Sequence, residues 1–123
     1  MNIGEVAELV QGKLLTEGID TRIEVQGAFA GDLMSDVLAT IKPEAILLTG
    51  LNNPQVIRTA LIADVSAIIL ARGKKPSLEM IELANNEGMP LICSPLGLFE
   101  LCVRLAENNI VSYEDEFDLS KCS

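Results

Sequence analysis

Residues 46–95 read ILLTGLNNPQVIRTALIADVSAIILARGKKPSLEMIELANNEGMPLICSP, and their pattern decides the fold. Ala45-Ile46-Leu47-Leu48-Thr49, Ala67-Ile68-Ile69-Leu70-Ala71 and Pro90-Leu91-Ile92-Cys93 are short apolar runs without alternation. A strand with one wet face alternates, so an unbroken run predicts a strand buried on both faces. Asn53-Pro54 follows the first run as an N-cap with proline at the first helical position. A helix over 55–64 then faces Val56, Ile57, Ala60 and Leu61 inward. Ser77 caps the next helix, through residue 86, and Gly88 ends it. Leu98 opens a last helix through residue 108. Strand and helix therefore alternate three times, which calls for crossover connections and a parallel sheet. The expected fold is three-layer α/β/α, with a mainly parallel sheet built from βαβαβα.

Upstream, Asn2 and Glu5 stand at capping-box spacing ahead of Ile3, Val6, Ala7 and Val10, which share one helical face. Residues 13–16 read as a brief strand and 23–30 as an extended run. Asp32 is the expected N-cap of a short helix over 33–40. Residues 1–110 form one α/β domain in this reading, and 111–123 an acidic tail. Tyr113-Glu114-Asp115-Glu116-Phe117-Asp118 carries four acids, read as a solvated end or as a segment docking on a basic patch.

Composition narrows the function. The chain has 123 residues, 49% of them apolar, with 18 acids against 9 bases and net charge −9. Mean hydropathy is +0.34. That excludes a disordered chain and argues against a nucleic-acid binder. There is no histidine and no tryptophan, so imidazole metal sites and Ser–His or Cys–His catalysis are excluded. Cys93, Cys102 and Cys122 make no Cys-x-x-Cys pair. The amino terminus has no basic, apolar leader pattern, and no stretch is long enough to span a membrane. The expected compartment is a reducing cytoplasm.

Ligands of an open parallel sheet bind beyond the carboxyl ends of its strands. Three loops should converge there. One carries Thr49, Gly50, Asn52 and Asn53, another Arg72, Gly73, Lys74 and Lys75, and the third Ser94. Backbone N–H groups at a helix start, beside a basic loop in an acidic chain, suit a phosphate or an adenine nucleotide as a regulatory ligand. Each residue also has a plainer role: Gly50 and Gly73 as turn formers, Asn53 as a cap, the cations as a solvated loop. Neither GxxxxGK[ST] nor GxGxxG occurs. Asp32 and Asp36 share a face one turn apart, read as a cap and an exposed acid rather than a Mg²⁺ site. No catalytic residue, resident cofactor or metal is expected.

The last helix is wider in its apolar arc than one sheet contact requires. Leu98, Leu101, Cys102 and Leu105 make one stripe; Phe99, Val103 and Ala106 make a second. A second chain over Leu98, Phe99, Cys102, Val103 and Ala106 is therefore expected, most simply as a homodimer. The alternative is that the first helix and the tail cover the arc within one chain.

Together with AFAGDLMSDVLA (residues 28–39), the 46–95 run resembles the DRTGG domain, over about residues 3–106. The likeness rests on element order, the NPQVIRTA helix, the KPS helix start and the GMPLI strand entry. The residues that name the family are not kept. Asn52-Asn53 stands near its Asp-Arg pair, and Ala71-Arg72-Gly73 stands for its Thr-Gly-Gly, retaining only Gly73. The resemblance implies a fold similar to the amino-terminal domain of HPr kinase/phosphorylase, dimerisation, and no chemistry of its own. It implies an accessory regulatory or assembly module acting on an unidentified partner protein. Such modules stand beside CBS pairs in some pyrophosphatases and ahead of the catalytic part of some phosphotransacetylases. Free-standing versions occur, some encoded near iron-only hydrogenase genes in anaerobes.

Overall fold

The apolar runs become the middle of a sheet because only a position covered from both sides removes all their side chains from water. In the computed structural model, which describes residues 1–116 and 118–122, β3 (Ile46–Thr49) and β4 (Ala67–Leu70) are buried at every residue. Each Ile or Leu so buried contributes about 1.5–3 kcal/mol. β5 (Leu91–Cys93) lies beside β4, and β2 (Gly27–Ala30) beside β3, all four parallel. Two short strands close the edges. β1 (Lys13–Leu14) pairs antiparallel with β5, and β6 (Val111–Ser112) pairs parallel with β2. The order is β1-β5-β4-β3-β2-β6, so the sheet is mainly parallel, as expected.

Helices cover both faces. α1 (Ile3–Leu9) and α5 (Leu98–Glu107) lie on one, where Ile3, Val6, Leu101 and Leu105 pack with Ile46, Leu48, Ile69 and Ile92. On the other, α2 (Met34–Thr40), α3 (Pro54–Ile62) and α4 (Leu78–Glu87) cover Leu47, Ile68, Leu70 and Leu91. Local chemistry sets the helix ends. Asn2 and Glu5 close a reciprocal capping box, Asn53 accepts from the Gln55 N–H, and Ser77 accepts from the Met80 N–H. Gly88 ends α4 at φ +67°, a left-handed conformation that glycine adopts without steric cost.

Three expectations change. Asp32 does not cap α2, which starts after Leu33 with no side-chain cap. Its carboxylate instead accepts from the Gly50 N–H at 2.7 Å and the Thr49 hydroxyl at 3.0 Å. Of residues 23–30, only 27–30 join the sheet; Glu24 makes a single bridge to Asn2. Residues 111–115 are not a loose end. Val111–Ser112 form β6, the Tyr113 N–H bonds the Ala28 carbonyl at 2.9 Å, and the Asp115 N–H bonds the Thr40 carbonyl at 2.8 Å. The Tyr113 ring packs so closely on Gly27 that a Cβ there would overlap it. Phe117, the other aromatic of the tail, lies outside the described residues.

Candidate functional site

Parallel pairing aligns the carboxyl ends of β3, β4 and β5, with Thr49 opposite Leu70 and Leu70 opposite Cys93. The three loops that follow are bonded to one another. The Arg72 N–H reaches the Leu96 carbonyl at 2.7 Å, and the Gly73 N–H reaches the Ser94 carbonyl at 2.6 Å. The Asn52 amide donates to the Lys75 carbonyl at 2.8 Å, and the Lys74 ammonium donates to the Gly50 carbonyl. Arg72 (φ +65°) and Gly73 (φ +63°) are consecutive left-handed residues, which makes the turn sharp. It carries the Arg72 side chain over Gly97, the uncapped start of α5; a Cβ on Gly97 would lie 3.7 Å from the guanidinium.

The sequence-proposed residues thus share one end of the sheet but divide by role. Thr49 and Ser94 are fully buried. The Thr49 hydroxyl donates to Asp32 and accepts from the Leu51 N–H; the Ser94 hydroxyl donates to the Val10 carbonyl at 2.7 Å and accepts from the Leu96 N–H. Asn53 is occupied as the cap of α3. These side chains hold the loops in place. Gly50 is half-buried, and Asn52, Arg72, Gly73, Lys74 and Lys75 face solvent. Among the described residues, the Arg72 and Lys75 cations have no ion-pair partner. Asp32 is the member that sequence reasoning misassigned. Its signal was its place: it follows β2 as Thr49 follows the core of β3, so it stands at the same end of the sheet.

The second candidate surface is α5. Leu101 and Leu105 are buried against the sheet, and Leu98, Cys102 and Val103 are half-buried. Phe99 is 83% exposed, and Ala106 is exposed. Arg104 closes the α1 side through Glu100 at 3.1 Å and the Leu9 carbonyl at 3.2 Å. Among the described residues, the opposite side, over β2 and β6, stays open. A groove of about 260 Å³ remains there, floored by Ala28, Ala30 and Leu48 and walled by Cys102, Leu105, Ala106, Ile110 and Val111.

Neither surface holds an acid–base constellation. Among the described residues no three His, Cys, Asp or Glu side chains group as a metal site, and no helix is long and apolar enough to cross a membrane. Burial pushes the Cys93 and Cys102 thiols above the usual thiol range, the reverse of an activated nucleophile. The Cys93 thiol donates to the Lys74 carbonyl at 3.0 Å, one more tie within the loop cluster.

A family description, the DRTGG domain, matches residues 5–107. The chain belongs to the DRTGG domain family. Among solved structures, this DRTGG domain is similar to the CBS and DRTGG domains of the regulatory region of Clostridium perfringens pyrophosphatase, crystallised with its activator diadenosine tetraphosphate. The TM-score is 0.73 at 16% identity, over 94% of this chain and 52% of that one. The present chain thus spans about half the length of that regulatory region. No curated protein matches it.

Proposed function

We propose that this DRTGG domain is a non-catalytic regulatory module that controls a partner enzyme by binding another protein chain. The observation that carries the reading is the fold. It is shared with the regulatory region of a pyrophosphatase, while this chain's own thiols are pushed toward their inert, protonated form. Fold likeness alone assigns no function, so the test is functional. The domain is co-purified with its partner from the native reducing cytoplasm, and the partner's activity is measured with the domain present and removed. A change in activity supports the reading. Turnover of a substrate by the purified domain alone refutes it. Self-association through Leu98, Phe99, Cys102, Val103 and Ala106 belongs to the same reading as one way of covering α5, and a scattering mass tests it.

A second reading rests on the loop cluster. Arg72, Lys74 and Lys75 bring three of nine bases to one loop of an acidic chain, beside the uncapped start of α5. The related regulatory region takes diadenosine tetraphosphate as its activator. A nucleotide or phosphate sensor would use this end of the sheet, with Arg72 and Lys74 on the phosphates and Gly50, Asn52 and Gly73 lining the approach. A nucleotide at one hundred times its dissociation constant raises stability by about 2.7 kcal/mol. A thermal-shift panel including diadenosine tetraphosphate reads this directly, and absence of any shift removes the reading.

A further inference from the structure

We propose that the groove between α5 and β2–β6 is the docking site for a basic amphipathic helix of a partner protein. The inference rests on the regulatory reading above and names the chemistry of the partner. The floor and walls are mostly apolar, with Ser112 and Glu114 polar at one side, and Ala28, Ala30, Cys102 and Ala106 leave room for inserted aliphatic side chains. Phe99, on the first turn of α5, continues the stripe along the helix and stands 83% exposed. On α5 the stripe runs from Phe99 to Ala106, seven steps of 1.5 Å or about 10 Å along the axis. That length suits the i, i+3, i+4, i+7 anchors of a helix laid in a groove. A strip about 10 Å by one helix diameter of roughly 10–12 Å is far below the ~800 Å² per partner of a standard protein–protein interface.

Charge selects among occupants. Among the described residues, Glu114 lines the groove and no base does. Asp115 and Glu116 extend that bank, with Lys42 the one cation beside the three carboxylates among the described residues. On the α5 bank, Glu107 follows Ala106 and is exposed, while Arg104 is held toward α1 by Glu100 and the Leu9 carbonyl. A second copy would bring the same acids, and a net charge of −9, against them. A helix flanked by lysine or arginine meets both banks with opposite charge.

The test uses the full chain, isotope-labelled, and three synthetic peptides. The first has a leucine stripe at i, i+3, i+4, i+7 with lysine flanks. The second keeps the stripe with glutamate flanks. The third keeps the lysines and scrambles the leucines. Only the first is expected to shift the amides of 28–30, 102–106 and 111–112. Ala106→Trp, which fills the groove from an exposed position, and Glu114→Lys, which reverses one bank, should each weaken it by about tenfold or more. Unchanged spectra elsewhere in both variants establish that they are folded. Equal binding of the glutamate or scrambled peptide overturns the proposal. So does a dimer that Phe99→Asp converts to monomer, which makes a second copy the occupant. A domain that changes its enzyme's activity yet fails the peptide arm keeps the regulatory reading and loses the groove.

Discussion

Replacing Ser94 with alanine removes one buried and one part-buried hydrogen bond and nothing else. The hydroxyl has no solvent exposure. It donates to the Val10 carbonyl at 2.7 Å, just past the end of α1, and accepts from the Leu96 N–H at 3.1 Å. It therefore ties the loop after β5 to a helix more than eighty residues earlier in the chain. A neutral hydrogen bond contributes about 0.5–1.5 kcal/mol net, and a buried group left unpaired costs about 1–3 kcal/mol. Val10 is itself fully buried, so its carbonyl carries the larger loss; Leu96 is half-buried and regains some water. The sum is about 2–3 kcal/mol. For a domain between the two size classes that bracket this one, that lowers Tm by roughly 8–12 °C. Urea unfolding followed by circular dichroism should show an earlier midpoint at unchanged slope, the mark of lost stability without a change in exposed area. A loss below ~0.5 kcal/mol, the size of an ordinary surface change, would refute the assignment of Ser94 as scaffold. The same variant should leave any nucleotide-induced shift intact, whereas Arg72→Ala should reduce it.

Other positions make sharper or opposite claims. Phe99→Ser should leave the isolated domain's stability within about 0.5 kcal/mol, since that ring is already in water; equilibrium unfolding decides it. Gly27→Ala should destabilise by about 1–3 kcal/mol, because the added Cβ meets the Tyr113 ring, and hydrogen exchange at 111–115 should quicken as β6 lifts. The Cys93 and Cys102 thiols are held protonated by burial. In a Cys122→Ser background, their alkylation–pH curves should therefore lie above that of a free thiol. The sign for stability follows: the unfolded thiols ionise first, so this contribution is whole below their unfolded pKa and is lost as pH rises through the folded one. Alkylation matching a model thiol at every pH would remove the claim.

The centre of the molecule was legible because burial on both faces writes itself into consecutive residues. Ile46–Thr49 and Ala67–Leu70 needed no partner information to be read as inner strands, and Asn2, Asn53 and Ser77 cap the helices they were assigned. Edges were harder. β1 and β6 are two residues each, too short to carry a period: the first was read as strand but two residues too long, and residues 111–112 read as tail. Asp32 misled for a different reason. A cap and a cross-strand acceptor use the same carboxylate, and only the position of β3 decides between them.

The order of apolar runs and capped helices determined, by local pattern alone, an α/β chain with a parallel sheet, and the absence of histidine removed whole classes of chemistry. Tertiary structure alone decided that Ser94 and Thr49 face inward while Arg72 and Lys75 face water. It also decided that β6 extends the sheet and that a groove lies between it and α5. Both outcomes depend on which distant segments meet, and pairing partners many residues apart leave no periodic trace in the residues that pair.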